Sequence, residues 1–324
     1  MTTSPRISVV VPTCGRERLL IRCLAALDAQ DFPADEYEVL VIDDGASDET
    51  RCAVERWAAH ARADVRYVRA GPSRGPAAAR NAGWRIARGT IIAFTDDDCV
   101  PTPCWLRAGA SALSRGAAGA TGPIRVPLPD EPTDYELSAA GLEHAEFATA
   151  NCFYRRDALC DVGGFDERFA AAWREDSDIY LELFKRGHRL TRAHDAVVVH
   201  PVRPERWGIS LRQQRKTMYN ALLYKKHGAL YWQRIQRSPP WHYYGIVATL
   251  LVALGAMTAG YPAVALVALG GWLVLTAGFC LYRLRATSRA PAHVAEMLVT
   301  SALIPPLALF WRLRGAFKFR VPFL

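Results

Sequence analysis

Acidic side chains nearly vanish from the last third of this 324-residue chain. Residues 201–324 hold 16 Lys and Arg but only Glu205 and Glu296, whereas the first 200 residues hold 24 basic against 30 acidic side chains. The net charge of +8 is thus a property of the tail, which argues for a membrane surface and against nucleic acid as its partner. Charge of either sign is missing from Ser238 to Tyr282, between Arg237 and Arg283. A C-x-x-C pair is also missing. Cys14, Cys23, Cys52, Cys99, Cys104, Cys152, Cys160 and Cys280 are scattered, so their spacing suggests neither a zinc site nor a disulfide framework, and it fits a reducing, cytosolic setting. Met1–Arg6 lacks the apolar core of a signal peptide and runs directly into an apolar stretch, which predicts that the first domain stays in the cytosol.

What is present is enough apolar material for a substantial core, 51% of residues. Four short apolar runs, at 7–11, 38–42, 65–68 and 90–94, alternate with segments at 16–29, 48–62 and 76–87 whose apolar residues recur every three or four positions. This alternation predicts an α/β domain with a mostly parallel sheet flanked by helices. Three of the runs end in polar or turn residues: Pro12-Thr13, Asp43-Asp44-Gly45 and Asp96-Asp97-Asp98. Ligands of such sheets bind at the carboxyl ends of the strands, so a site is expected there before any motif is named. Pro127 to Pro132 reads as a surface loop, and helical spacing returns at 176–186.

The tail reads as membrane-associated. From Trp207 to Arg237, basic residues mix with Trp, Tyr and Leu, as in an interfacial amphipathic helix. Residues 243–259 and 263–282 form a predicted helical hairpin across Gly260-Tyr261-Pro262, since a spanning helix needs ~20 apolar residues. That arrangement keeps Arg234, Arg237, Arg283, Arg285 and Arg289 on one, cytoplasmic side. A third apolar stretch, 294–311, contains Glu296 and Pro305-Pro306 and is expected to be re-entrant or to lie on the surface. The predicted division is therefore 1–206 catalytic, 207–240 interfacial and 241–324 in the membrane.

Several polar groups could carry chemistry. Asp96-Asp97-Asp98 places carboxylates at a strand end, where Mg²⁺ or Mn²⁺ could bridge to phosphate oxygens; a solvated acidic loop has the same composition. Asp43 and Asp44 could accept hydrogen bonds from a base or ribose, or form an ordinary Asp-Gly turn. Gly71 to Gly83 joins a Gly/Pro-rich loop to a small-residue helix that carries Arg80, a cation available to a phosphate or base; plain tight packing explains the small residues equally well. Glu175 and Asp176 offer a general base, with capping of the helix that follows as the plainer role. His200 ends an apolar run and could meet a metal or a phosphate.

In this order, ISVVVPTCGR, VLVIDDGASDET, RGPAAARNAGWRIARG, IIAFTDDDCVP and GGFDERFAAAWREDSDIYLELFKRGHRL resemble the family-2 inverting glycosyltransferases of the GT-A fold, across about residues 6–200. The resemblance implies nucleobase and ribose contacts from Pro12, Thr13 and Asp43, with Asp44 and Arg80 nearby. It implies diphosphate and metal contacts from Asp96, Asp97 and Asp98, with Asp98 the direct metal ligand and His200 a second. Asp176 is implied as catalytic base, beside Glu175. The donor would be a UDP-, GDP- or dTDP-sugar, the cofactor Mg²⁺ or Mn²⁺, and the acceptor a lipid-linked compound or glycan at the cytoplasmic membrane. No clean Q-x-x-R-W motif surrounds Arg212–Lys216, which argues against processive chain extension. A nucleotidyltransferase of similar fold and a non-catalytic membrane scaffold are the competing expectations.

Overall fold

The computed structural model describes residues 4–323, so the Met1–Arg6 stretch is seen from Ser4 onward. The chain divides into two compact units. One comprises residues up to 127 with 140–202, and the other comprises 128–139 with 203–324.

In the first unit, β1 (Ile7–Thr13), α1 (Glu17–Asp28), β2 (Tyr37–Asp43), α2 (Asp48–Ala58), β3 (Asp64–Arg69), α3 (Pro76–Ile86) and β4 (Ile91–Phe94) alternate along the chain. β1 and β2 are buried at every position, as near-continuous apolar strands must be when helices cover both faces. β3 has no fully buried residue and carries Arg66 and Arg69, the composition of a charged edge strand. β5 (Val100–Pro101), α4 (Trp105–Ser114), β6 (Gly119–Thr121) and β7 (Ile124–Arg125) come next; the chain then passes through α5 (Asp134–Ala140), nearly all of it in the second unit. It returns with β8 (Cys152–Arg155), α6 (Arg156–Val162), α7 (Glu175–Lys185), β9 (Leu190–Arg192) and β10 (Val198–Val199). The main sheet runs β3-β2-β1-β4-β8-β6-β9, and a small one runs β5-β10-β7. β3, β2, β1 and β4 are mutually parallel, whereas β8 is antiparallel to both of its neighbours.

The predicted runs all became strands, with one or two residues of difference at their ends. The strand order reverses at β1, which has β2 on one side and β4 on the other, so a crevice opens beyond their carboxyl ends. α3 lies against β1 and β2 at close range because Gly83 has no side chain. A Cβ there would stand 2.4 Å from Val10 Cγ1 and 3.0 Å from Ile42 Cγ1.

In the second unit, α5 starts with a capping box. The Glu136 amide donates to Thr133 Oγ1 at 3.3 Å, and Thr133 N–H donates back to Glu136 Oε2 at 2.7 Å. The expected amphipathic segment at 207–237 is broken into α8 (Ile209–Gln213), a 3₁₀ turn, α9 (Tyr219–His227) and α10 (Ala229–Arg234). Gly208 and Gly228, both at positive φ, mark two of the breaks. α11 (Trp241–Thr258) and α12 (Pro262–Leu284) form the predicted hairpin, turning at Gly260 with φ +78°. The third apolar stretch is one continuous helix, α13 (Pro291–Phe319), much longer than the expected 294–311. Pro305 and Pro306 sit inside it, each removing one backbone hydrogen bond without ending the helix. α11, α12 and α13 are each long and apolar enough to cross a membrane, with mean hydropathy of 1.3, 2.2 and 1.6 over their most apolar windows.

Candidate active site

Backbone geometry brings the polar strand ends together. After β4, residues 95–99 fold into a turn closed by Cys99 N–H donating to the Asp96 carbonyl at 3.1 Å, which fans the three aspartates into different surroundings. Asp97 is almost fully buried, accepts from the Thr13 hydroxyl at 2.7 Å and is ion-paired with Arg16, whose Nη1 stands 3.0 Å from Oδ1. Burial pushes its carboxyl up to about 6, against the pull of Arg16 and the Thr13 hydroxyl. Asp98 faces Arg16 Nη1 at 3.5 Å and His200 Nε2 at 3.4 Å. Asp96 accepts from Arg80 Nη2 at 2.7 Å. Burial disfavours its charge, but Arg80, His200 and Arg16 together hold its carboxyl below the ordinary range.

Arg80 is the centre of this arrangement. Its guanidinium is 3% exposed and also donates through Nη1 to Glu175 Oε1 at 3.0 Å. Glu175 and Asp176 open α7, preceded by Arg174 in the left-handed region at φ +77°. A non-glycine residue rarely holds that conformation, and here it sets the direction in which the two acids leave the loop. Glu175 is buried, and its Oε2 has no hydrogen-bond partner among the described residues. Burial pushes it up to about 7, with Arg80 opposing and Asp176 adding to the rise. Asp176 is half-buried and is anchored through one oxygen, Oδ1, which accepts from the Ser177 amide at 2.6 Å and the Ser177 hydroxyl at 3.2 Å. Its place is the first helical turn, and the capping position belongs to Arg174.

The other sequence candidates organise the mouth of the crevice. Asp43 accepts from the Gly45 and Ser47 amides at 2.9 and 2.8 Å and from the Tyr67 hydroxyl at 2.9 Å. Asp44 accepts from Ser73 Oγ at 2.6 Å and from the Arg74 and Gly75 amides, both at 3.1 Å. Both carboxylates therefore shape loops at the mouth of the crevice. Pro12 pairs with Ile42 in the β1–β2 register, one step before Thr13 pairs with Asp43.

Asp98, Cys99 and His200 place a carboxylate oxygen, a sulfur and a ring nitrogen within 4.8 Å of one another. Burial, with Asp96 and Asp98 adding to it, pushes the Cys99 thiol well up. The Asp98 carboxylate is the donor type that suits Mn²⁺ or Mg²⁺, with the His200 ring nitrogen beside it. Asp96, also a sequence candidate for the metal, turns its Oδ1 to Arg80 instead. Sequence reasoning missed Arg16 and Cys99. The signal for Arg16 was its place, three residues after Thr13 at the end of an apolar run, where a cation faces whatever anion the crevice holds.

Residues 8–178 match the model of glycosyl transferase family 2. The chain belongs to glycosyltransferase family 2. It is 30% identical over 225 residues to glycosyltransferase AglE of Haloferax volcanii, a match covering 66% of this chain and 72% of that protein. It is 28% identical over 253 residues to validoxylamine A glucosyltransferase of Streptomyces hygroscopicus subsp. limoneus, covering 65% of this chain and 52% of the relative. Mannosyltransferase PcManGT from Pyrobaculum calidifontis, solved with GDP-Man and Mn²⁺, superposes with a TM-score of 0.56 at 24% identity, over 98% of this chain and 88% of that one. TarS 1–349 of S. aureus with UDP gives 0.53 at 19% identity, over 97% and 89%. These likenesses show a GT-A fold. The family-2 match takes in Asp96–Asp98, Glu175 and Asp176, whereas His200 lies beyond it.

Proposed function

We propose that this glycosyltransferase moves a sugar from a nucleoside-diphosphate sugar to a hydroxyl or phosphate of a lipid-linked acceptor, with inversion at the anomeric carbon. The observation that carries this reading is Arg80, which holds Asp96 and Glu175 on the two hands of one buried guanidinium. The acids suited to a leaving diphosphate and the helix bearing the base are thereby fixed in one frame. Asp176, anchored through Oδ1, takes the proton of the acceptor hydroxyl. The acceptor oxygen then bonds to the anomeric carbon as the bond to the diphosphate breaks. Asp98 and His200 would hold Mg²⁺ or Mn²⁺, which when bound neutralises charge on the departing nucleoside diphosphate. The Mn²⁺ and GDP-Man of the Pyrobaculum neighbour, and the UDP of the TarS structure, support this class of donor and cofactor. Thr13, Asp43 and the loop tied by Asp44 form the wall for base and ribose.

The acceptor assignment rests on the three apolar helices. With the basic residues of 203–237 at the cytoplasmic surface, the catalytic unit, residues up to 127 with 140–202, works on substrates held in or at the bilayer. A donor panel with total membrane lipid as acceptor, scored by released nucleoside diphosphate, tests the reaction. Release of pyrophosphate instead would point to a nucleotidyltransferase, and donor binding without turnover to a scaffold. Asp98→Ala with undiminished turnover would remove the metal assignment.

A further inference from the structure

α13 is long and apolar enough to span a bilayer, but its neighbours within the second unit decide whether it does. The segment 208–225 runs beside it almost from end to end. Near the start of α13, Glu296 accepts from the Gly208 amide at 2.7 Å. Further along, a Cβ at Gly315 would collide with the Met218 carbonyl, so the two backbones lie in direct contact there. At the far end, Lys225 Nζ donates to the Phe319 carbonyl at 2.8 Å, and the Tyr219 and Phe319 rings stand 6.2 Å apart. From Glu296 to Gly315 the helix rises about 28 Å at 1.5 Å per residue, close to the ~30 Å of a hydrocarbon core. α13 and segment 208–225 therefore cross together or not at all. That segment contains Arg212-Gln213-Gln214-Arg215-Lys216, with Arg212 and Arg215 exposed, and is broken into α8, a 3₁₀ turn and α9. Hydrocarbon excludes such a run of exposed charge and interrupted helix.

The outer surface of α13 has the pattern of a helix lying flat on a bilayer. Its most apolar window is 39% buried, against 11% in α11 and in α12, because one side is spent on protein contacts. Met297, Ser301, Ile304, Ala308, Gly315 and Phe319 mark that buried side. Val299, Leu303, Phe310, Leu313 and Phe317 are exposed, Phe317 at 88%, and their steps of four, seven, three and four set them on the opposite stripe. Arg314 and Lys318, both exposed, border the stripe near Phe310 and Phe317. An apolar stripe edged by cations suits the boundary between acyl chains and headgroups, and α11 and α12, packed on α13 in the same unit, bring it to that boundary.

We infer that α13 lies in the plane of the membrane, on the same side as residues 203–237, with its apolar stripe docked on the lipid leaflet; given the membrane reading above, the chain then crosses twice and not three times. The full chain in membrane vesicles tests this with a membrane-impermeant maleimide. Tyr261→Cys, in the turn between α11 and α12, should gain label in right-side-out vesicles, where the wild type stays unlabelled because its exposed cysteines all belong to the first unit. Arg320→Cys should gain one further label over the wild type, and only in inverted vesicles. Should Arg320→Cys fail to accumulate, Lys318→Cys takes its place. Label on either from the side that labels Tyr261→Cys would make α13 a third span and overturn the in-plane helix. An unlabelled Tyr261→Cys in right-side-out vesicles would remove the spanning hairpin, and the in-plane helix with it. A benzophenone photocrosslinker in place of Phe310 or Phe317 reads what covers the stripe. Adducts with phospholipid are expected, whereas a covalent dimer, or no lipid adduct at either position, overturns the docking face. Both readouts need neither donor nor acceptor, so they and the turnover assay fail independently.

Discussion

Arg80 serves two carboxylates with one side chain, and its Glu175 partner has a proton to lose near neutrality. An ordinary glutamate ionises near 4.5, whereas burial raises Glu175 to about 7 in the fold. A raised carboxyl favours folding fully below the unfolded value, and that contribution is lost as pH rises through about 7. The melting temperature of the metal-free, donor-free chain should therefore fall more steeply between pH 4.5 and 7 in the wild type than in Glu175→Gln. Parallel slopes would show that the proton on Glu175 does not matter to the fold. Asp176→Asn probes a different step, because amide replaces base while the Ser177 anchor can persist. Transfer should drop by on the order of 10²-fold or more, with donor affinity measured by tryptophan fluorescence little changed. The types of these residues were legible in the sequence, because acids at strand ends and before a helix are a local pattern. Their pairing was not. Nothing local tells Arg80 to choose Asp96 and Glu175, which lie 16 and 95 positions away, or Arg16 to reach Asp97 and Asp98.

At the scale of elements, legibility followed length and periodicity. β1, β2 and β4 are apolar runs with turn residues after them, and the spacing in α1, α2 and α3 repeats over three turns. The strands of two or three residues, β5, β6, β7, β9 and β10, carry too few side chains to show a period, and their pairing is set by the sheets they join. The full length of α13 was obscured because its apolar stretch ends at Trp311, whereas Arg312, Arg314 and Lys318 lie on the same helix, which runs to Phe319. The small-residue run in α3 was ambiguous between phosphate binding and packing, and Gly83 is used for packing. Gly83→Ala should cost about 1–3 kcal/mol through overpacking against Val10 and Ile42, read from the denaturation midpoint. Gly141→Ala, where an added Cβ meets nothing within 4 Å, is the control and should be close to neutral. A neutral Gly83→Ala would mean that α3 can lift from the sheet, loosening the frame that carries Arg80.

For the molecule as a whole, the charge asymmetry of the sequence led to the expectation of a membrane-facing tail, and three helices there are long and apolar enough to cross a bilayer. The asymmetry did not announce that residues 128–139 belong with that tail. Asp134 meets Arg283 across 149 positions, and Thr300 and Ser301 complete the guanidinium's hydrogen bonds at 2.8 and 2.9 Å. What these helices face outward decides whether the hairpin lies in a bilayer or is a soluble helix pair. Only 11% of the most apolar windows of α11 and α12 is buried, and Val274, near the middle of α12, is 72% exposed. If that surface meets water, Val274→Arg replaces an exposed apolar side chain by a soluble one and should change stability by less than ~0.5 kcal/mol. If it meets lipid, the same change places a charge mid-span, at a cost of about 2.5–3.5 kcal/mol for insertion. The prediction is that the wild-type chain resists alkaline carbonate extraction from membranes, whereas Val274→Arg is partly released or fails to accumulate there. Tail-side basic residues such as Arg237 should tolerate neutral replacement in the same assay. A Val274→Arg chain retained as firmly as the wild type would instead place α12 against protein or solvent, and the lipid-linked acceptor would lose its main support.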